Sequence, residues 1–192
     1  MKLDQEYWNG RYIQEDTGWD LGMVSPPLKE YINQLKDKNQ SILIPGCGST
    51  WEADYLLEMG FTNITLLDIS SDLIAKLLHK YKDNHNVTIV CDDFFEYKGQ
   101  FDLILEQTFF CALLPELRSS YVQKIKELLT PQGKLAGVLF SRSFEQPGPP
   151  FGGSLDEYIS LMRDAFSEIT IASCDTSFHK RSESELFIII KK

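Results

Sequence analysis

The sequence has few of the residues that bind metals or form disulfide frameworks. It contains four cysteines and three histidines. No two cysteines form a CxxC pair and no histidine clusters with them, so we predict no metal site. Scattered single cysteines are typical of a reduced cytosolic protein. We therefore expect a cytoplasmic location. The four cysteines are Cys47, Cys91, Cys111 and Cys174.

Long apolar runs and an excess of positive charge are also missing. No apolar run approaches the length that crosses a membrane, and the first residues have no apolar signal-peptide region. The 19 basic and 28 acidic residues give a formal net charge of -9. This balance disfavours partners such as nucleic acid or an anionic membrane. We expect neither partner, and we expect a monomer.

The length sets the domain organisation. A chain of 192 residues is long enough for one sizeable core and short for two domains. We predict a single domain over residues 1–192, with an α/β body at 41–192. Residues 1–40 form a polar extension dotted with aromatic residues, and we expect it to pack over the body as a lid.

Strand and helix patterns alternate along the body. Short apolar runs predict strands at 42–44, 63–68, 87–91, 101–106 and 134–141, and helical spacing of apolar residues predicts helices at 49–60, 70–84, 117–130 and 154–166. Ser49 and Glu52 match a capping box for the first of these helices, which Gly60 closes.

The end of the chain has a different pattern. Two apolar runs, at 168–175 and 184–192, have no helix between them. Parallel neighbours need a long crossover, so we expect this pair to be antiparallel. The whole pattern predicts a doubly wound, Rossmann-like α/β sheet with an antiparallel C-terminal strand.

A glycine loop after the first predicted strand indicates a nucleotide-type ligand. Gly46 and Gly48 supply the turn and the close backbone approach of a dinucleotide fingerprint, but Trp51 replaces its third glycine. Asp68 follows about twenty residues after Gly48, at the end of the second strand, where a carboxylate can accept hydrogen bonds from ribose hydroxyls. This combination favours an adenosine cofactor without a diphosphate, namely S-adenosylmethionine. The alternatives are that the glycines only make a turn, or that the chain is an NAD-type oxidoreductase.

Three later segments supply further candidate residues. Asp93 and Phe94 follow the third strand and are candidates for contacts to adenine, unless the two aspartates at 92–93 only form a solvated turn. Phe109 and Phe110 follow the fourth strand, at the edge where ligands of open α/β sheets bind, although both residues also fit a core. The loop after the fifth strand adds Arg142 and Phe151 as candidates for a substrate pocket, with an ordinary surface connection as the alternative.

Six segments in order resemble the thiopurine methyltransferase-like family, most closely its thiol and halide methyltransferase branch. They are "GWDLGMVSPPL", "PGCGSTWEADYLLEMG", "LLDIS", "DDFF", "FFCALLPELRSSYVQKIKELLTPQG" and "PGPPF". The resemblance covers the chain from about Trp8 to the C-terminus. It implies an S-adenosylmethionine-dependent enzyme of the seven-stranded class I fold, whose N-terminal segment closes over the cofactor.

The same resemblance implies particular cofactor contacts. These are Trp8, Tyr12 and Trp19 in the N-terminal segment, and Gly46, Gly48, Asp68, Ile69, Asp93, Phe94 and Gln107 in the body. Tyr12 stands where tryptophan is more usual. Gln107 stands where the plant halide enzymes have tyrosine and the thiopurine enzymes have arginine, so the class of methyl acceptor stays open.

Methyl transfer from a sulfonium explains why we assign no catalytic residue. A soft nucleophile displaces a good leaving group in line, so alignment and exclusion of water are sufficient. Cys47 and Cys111 are better interpreted as small buried apolar residues than as nucleophiles. We predict transfer to a small soft nucleophile such as a thiol, a halide or a thiopurine. The alternative that Gln107 supports is a module that binds the cofactor without turnover.

Overall fold

The computed structural model describes residues 1–192 and contains one seven-stranded sheet with six α-helices. The strand order is β3-β2-β1-β4-β5-β7-β6. The strands are β1 Ile42–Pro45, β2 Ile64–Asp68, β3 Val87–Cys91, β4 Phe101–Gln107, β5 Leu129–Phe140, β6 Glu168–Ser173 and β7 Glu185–Lys191. The helices are α1 Gln5–Ile13, α2 Pro26–Asn33, α3 Trp51–Glu58, α4 Ser71–Lys80, α5 Arg118–Leu128 and α6 Leu155–Met162.

The predicted fold class is confirmed. Strands β1 to β5 pair in parallel, and β7 pairs antiparallel with both β5 and β6. Strand β7 lies between β5 and β6, so Phe140 at the end of β5 is opposite Glu185 at the start of β7. The carboxyl ends of β1, β2, β4 and β5 therefore share one edge of the sheet with the loop that precedes β7.

Buried side chains cover both faces of the sheet. One cluster contains Leu56 of α3 and Leu77 of α4, and the other contains Tyr121 and Ile125 of α5. None of the helices is long and apolar enough to cross a membrane.

The first 40 residues divide into two unlike parts. Helix α1 has no buried residue, whereas Leu28 and Ile32 of α2 are fully buried in the same cluster as Leu56. The predicted boundary at residue 40 is therefore corrected: α2 is part of the core. We call residues 1–24 the roof segment.

Several local predictions were wrong. Ser49 and Glu52 do not cap α3, which begins after Thr50 in a left-handed conformation without a side-chain cap. Ser49 instead donates to Asp20, and Glu52 accepts from the backbone N–H of Ser25 at 3.0 Å. Both partners belong to the first 40 residues, so tertiary hydrogen bonds have replaced the local ones.

Another boundary also differs from the prediction, and one leucine of α4 is exposed. Strand β5 begins at Leu129, directly after α5, rather than at residue 134. Leu78 of α4 is 54% exposed because the helix turns it away from the face that Leu73, Ile74 and Leu77 bury.

Candidate active site

A cavity of about 870 Å³ lies along the carboxyl edge of the sheet. This volume is within the range of sites that bind small molecules. Sheet order arranges its wall. Asp68 of β2 and the glycine loop after β1, with Gly46 and Gly48, form what we call the glycine-loop end. The hairpin end comprises residues that end β5, follow it or precede β7, namely Phe140, Arg142, Phe144, Phe178, Lys180 and Arg181.

The two glycines of the loop have left-handed backbones. Their φ angles are +56° at Gly46 and +50° at Gly48, a region that favours glycine. A Cβ at Gly46 would overlap the ring of Phe109, so this glycine also admits an aromatic side chain from the next strand. A Cβ at Gly48 would lie 3.7 Å from the hydroxyl of Tyr12 in the roof segment.

Trp51 links the start of α3 to the roof segment. Its indole Nε1–H donates to Asp20 Oδ1 at 2.7 Å, while Ser49 donates to the other carboxylate oxygen. Although burial opposes it, hydrogen bonds from Ser49, Gly22 and Trp51 lower the pKa of Asp20. Trp51, which replaces the third glycine of the dinucleotide fingerprint, therefore binds the roof segment through a hydrogen bond to a carboxylate.

Asp68 lies at the end of β2 and is only 7% exposed. Its carboxylate accepts from the backbone N–H of Ser70 at 2.9 Å and from that of Gly48 at 3.4 Å. Burial raises the pKa of Asp68 to about 6, although these hydrogen bonds oppose the shift. The carbonyl of Ile69 accepts from the side chain of Gln5 at 3.0 Å, so α1 is also tied to this turn.

The aromatic residues of the roof segment pack on one another. The ring of Trp19 lies 5.6 Å from that of Trp8 and 5.8 Å from that of Tyr12, edge to face in both pairs. The Trp19 carbonyl accepts from Arg181 at 2.7 Å. Burial raises the pKa of Tyr12, so its hydroxyl stays protonated. All three aromatic residues line the cavity.

Asp93 and Phe94 lie in the turn after β3, and both line the cavity. Asp93 is exposed and its carboxylate accepts from the backbone N–H of Phe95 at 2.8 Å. Phe94 is buried, with its ring 5.0 Å from that of Phe109. The turn therefore has local hydrogen bonds of its own and also faces the cavity.

Gln107 ends β4 and lines the cavity. Its Oε1 atom is buried and has no hydrogen-bond partner in the protein. A buried amide oxygen without a partner is costly, so this atom is available to a bound donor. The preceding Glu106 is fully buried and accepts from the backbone N–H groups of Phe109 and Phe110 at 2.8 and 2.9 Å. It thereby holds the turn that presents Gln107 and Phe109 to the cavity.

Two of the four predicted pocket residues, Phe110 and Phe151, do not line the cavity. Phe110 is 1% exposed and packs against Tyr121, with ring centroids 5.0 Å apart. It belongs to the core, where its ring also lies 5.7 Å from that of Tyr158. Phe151 is partly buried and does not line the cavity; its backbone N–H donates to the carbonyl of Cys111. Phe109 and Arg142 do line the cavity.

Sequence reasoning missed most of the hairpin end. Phe140, Phe144, Phe178, Lys180 and Arg181 were not predicted as site residues, and neither was Asp20 or Trp51 as a link to the roof segment. The antiparallel C-terminal pair was the sequence feature that could have indicated these residues. Because β7 runs antiparallel to β5, the loop before β7 lies at the edge where β5 ends.

Cys47 and Cys111 line the cavity as buried thiols. Burial raises the pKa of both thiols, with the neighbouring carboxylates Asp68 and Glu106 adding to the shift. Both side chains therefore stay protonated and weakly nucleophilic, since the thiolate is the reactive form.

Solved structures with the same architecture define the class of this fold. The chain superposes on a 1,6-didemethyltoxoflavin-N1-methyltransferase from Burkholderia thailandensis with a TM-score of 0.73, at 19% identity, covering 98% of this chain and 86% of that one. A TehB-like SAM-dependent methyltransferase from Corynebacterium glutamicum gives 0.67 at 17% identity, covering 98% of both chains. The fold is that of the class I S-adenosylmethionine-dependent methyltransferases.

Sequence comparison then identifies the family. Residues 3–188 match the model of the thiopurine S-methyltransferase family. "Probable thiol methyltransferase 2" from Arabidopsis thaliana is 30% identical over 160 residues, which cover 81% of this chain and 70% of that protein. A thiopurine S-methyltransferase from Acinetobacter baylyi is 24% identical over 190 residues, covering 85% and 86%. The chain belongs to the thiopurine S-methyltransferase family, and it is an S-adenosylmethionine-dependent methyltransferase of small molecules.

Proposed function

We propose that this enzyme methylates the sulfur of a small thiol or thiolate. The observation that carries this proposal is the cavity, which runs from the buried carboxylate of Asp68 to an aromatic wall at Phe109 and Phe140. Relatives in the family are named for thiol, thiocyanate and thiopurine acceptors, all of which offer sulfur. A polarizable sulfur suits an aromatic wall better than a strongly hydrated oxygen nucleophile does.

The glycine-loop end fits the cofactor. S-adenosylmethionine presents ribose hydroxyls and an ammonium group, all of which are hydrogen-bond donors. Asp68 offers carboxylate oxygens for the hydroxyls, and Gly46 and Gly48 allow the backbone to approach closely. The buried and unpartnered Oε1 of Gln107 is an acceptor for a donor of the methionine part.

The adenine ring fits beyond Asp68, beside β3. We assign Ile69, Asp93 and Phe94 to this position because all three line the cavity at the ends of β2 and β3. Asp93 would accept from the exocyclic amino group of adenine.

The roof segment acts as the lid of a single-domain enzyme. Trp8, Tyr12 and Trp19 close the cavity from above, and aromatic faces attract the sulfonium charge. Asp20 fastens the lid to α3 through Trp51. Arg181 fastens it at the hairpin end through the Trp19 carbonyl.

When bound, the cofactor supplies a methyl group on a sulfonium, which leaves as a neutral thioether. The protein aligns the acceptor sulfur with this methyl group and excludes water, and such alignment contributes up to about 7–11 kcal/mol. The acceptor loses its thiol proton to solvent. The protonated thiols of Cys47 and Cys111 do not compete for the methyl group.

We also infer a monomer that works in the cytoplasm without a nucleic-acid partner. All four cysteines are free, and three of them are buried thiols. Free thiols are typical of a reducing compartment. The net charge of -9 supports the absence of a nucleic-acid partner.

A product assay tests the proposed function. The purified protein is incubated with S-adenosylmethionine and, separately, with thiophenol, thiocyanate, iodide and phenol, and the products are identified by mass spectrometry. We expect S-adenosylhomocysteine together with a methyl thioether or methyl thiocyanate. Asp68→Ala serves as the control for cofactor-dependent turnover. Methylation of phenol or iodide in preference to both sulfur compounds would overturn the assignment of a sulfur acceptor.

A further inference from the structure

Two cations on the wall of the cavity have no carboxylate partner. Arg142 makes one polar side-chain contact, to the carbonyl of Ser143 at 3.5 Å, and Lys180 makes none. The other basic residues on the wall are engaged. Arg11 pairs with Asp16 at 2.9 Å, Lys2 pairs with Asp4 at 2.7 Å, and Arg181 bonds to the Trp19 carbonyl.

Both unpaired cations are at the hairpin end. The backbone N–H of Ser141 donates to the carbonyl of Ser184 at 2.7 Å, so the segment that carries Arg142 lies against the loop that carries Lys180. The backbone of Arg142 is held firmly. Its carbonyl accepts from the N–H of Gly153 at 3.2 Å, and a Cβ at Gly152 would overlap that carbonyl.

The wall beneath these cations is aromatic. The rings of Phe140 and Phe144 lie edge to face at 5.1 Å, and the Arg142 guanidinium sits 4.9 Å above the ring of Phe144. Phe178 lines the same end. The hairpin end therefore combines an apolar surface for a flat molecule with free positive charge at its border.

The carboxylates of the two segments at this end do not line the cavity: Glu145, Asp175 and Glu183 are exposed outside it. Glu185 pairs with Arg181 at 3.5 Å, and burial raises the pKa of Glu185, which favours its neutral form. Asp4 pairs with Lys2.

The remaining acids that line the cavity are Asp20, Glu52, Asp68, Asp92 and Asp93. Asp20, Glu52 and Asp68 accept hydrogen bonds from Ser49, Ser25 and Ser70. Asp92 and Asp93 lie in the turn after β3, at the opposite side of the sheet from the hairpin end.

We propose that Arg142 and Lys180 form a subsite for an anionic group on the methyl acceptor, remote from its sulfur. This inference rests on the proposed function and names the acceptor class more closely: a flat, apolar thiol that carries a carboxylate or a similar oxyanion. The subsite also offsets the repulsion that an anion meets on approaching an acidic protein. The substituent is bound and stays chemically unchanged.

Matched acceptors test the subsite. 4-Mercaptobenzoate and 4-mercaptobenzamide have nearly the same shape and differ by one charge. We expect kcat/KM for the benzoate to exceed that for the benzamide about tenfold at low salt, as charge-assisted hydrogen bonds predict. The difference should lie in KM, because the charged group is remote from the reacting atom. Added salt should reduce the ratio, since these cations are exposed.

Variants locate the effect. Arg142→Gln with Lys180→Gln should bring the ratio close to one, and Arg142→Glu should invert it. Arg163→Gln is the matched control, because Arg163 is an exposed arginine directly after α6 and outside the cavity, and it should keep the ratio of the wild type.

Binding of the methylated products supplies a readout without turnover. 4-(Methylthio)benzoate and 4-(methylthio)benzamide are titrated calorimetrically into the protein saturated with S-adenosylhomocysteine. Tighter binding of the benzoate product, lost in the double variant, supports the subsite even if neither thiol is methylated. A failure to methylate either thiol would overturn only the proposed function. Equal binding of the two products, or a benzoate preference that the double variant keeps, overturns the subsite whether or not thiols are methylated.

Discussion

The glycine-loop end of the cavity is built from two successive turns of one βαβ unit, whereas the hairpin end is assembled from segments far apart in sequence. The glycine-loop end is lined by backbone groups and one buried carboxylate, and its residues Gly46, Gly48 and Asp68 lie close together in sequence. At the hairpin end, side chains dominate, with cations and aromatic rings from the segment after β5 and the loop before β7. The comparison teaches that local chain geometry builds the glycine-loop end, while strand order brings together the distant segments of the hairpin end.

The roof segment covers both ends, so its removal should have the largest effect. Deleting residues 1–24 removes Trp8, Tyr12 and Trp19, and truncation of an aromatic anchor in a binding site commonly costs at least about 2 kcal/mol. We expect S-adenosylhomocysteine to bind roughly a hundredfold more weakly, or worse, by calorimetry. Circular dichroism should still show a folded protein, because α2 and its core contacts remain.

Ile13→Ala is the control for this deletion, since Ile13 lies on the exposed face of α1. It should bind the cofactor as the wild type does. A folded deletion variant with unchanged affinity and turnover would show that the roof segment is not a lid.

Loss of Asp68 should affect the glycine-loop end alone. Hydrogen bonds to a charged group contribute about 1.5–3 kcal/mol, so Asp68→Ala should weaken S-adenosylmethionine binding about 10- to 150-fold. Asp83→Ala, at an exposed position after α4, is the control. Unchanged affinity in Asp68→Ala would refute the ribose assignment. If the variant also ranks the methyl acceptors by kcat/KM in a different order, the glycine-loop end would contribute to acceptor choice, contrary to the separation of the two ends.

The raised pKa of Asp68 makes cofactor binding depend on pH. With a pKa of about 6 in the free protein, the carboxylate is ionised above pH 6 and increasingly protonated below it. Ribose hydroxyls prefer the ionised acceptor, so the Kd should be flat above pH 7. Below pH 6 it should rise about tenfold per unit. Asp68→Asn cannot titrate and should bind weakly with no such slope; a wild-type Kd that stays constant down to pH 5 would contradict the role of Asp68.

The contrast between the two ends also explains which features could be predicted from the sequence, namely those that depend on spacing along the chain. The alternation of strands and helices predicted the sheet, and the pair without a helix predicted its antiparallel end, because both patterns depend on spacing along the chain. Gly46, Gly48 and Asp68 were found for the same reason. All three line the cavity.

The failures have physical causes that spacing does not reveal. Phe109 and Phe110 are adjacent and chemically identical, and the spacing of apolar residues does not show that the turn held by Glu106 directs Phe109 to the cavity and Phe110 to the core. Lys180 and Arg181 became part of the site because β7 lies between β5 and β6. No local pattern shows which strand is inserted between the others.

The link between Trp51 and the roof segment should have a smaller effect than the roof segment itself. Trp51→Phe keeps an aromatic ring and removes the 2.7 Å hydrogen bond to Asp20. Trp51 is 37% exposed, so we expect a loss of about 1 kcal/mol, or roughly fivefold in cofactor Kd. Asp20→Asn should be similar, and the double variant should add little because both changes break one link. Strictly additive losses would show that the two residues act separately.

The smallest expected effect comes from substitutions that distinguish a residue lining the cavity, Phe109, from its neighbour in the core, Phe110. Phe109→Leu trims a ring that lines the cavity, and a change of this size in an apolar pocket alters discrimination by a few-fold. We expect the ratio of kcat/KM for thiophenol over thiocyanate to fall about two- to fivefold. Phe110→Leu should leave this ratio unchanged and lower the Tm, since Phe110 is buried among Tyr121 and Tyr158. Phe151→Ala is the second control, because that side chain does not line the cavity. If Phe110→Leu or Phe151→Ala shifts the ratio as much as Phe109→Leu does, the acceptor contacts a different surface from the one that strand order assigns.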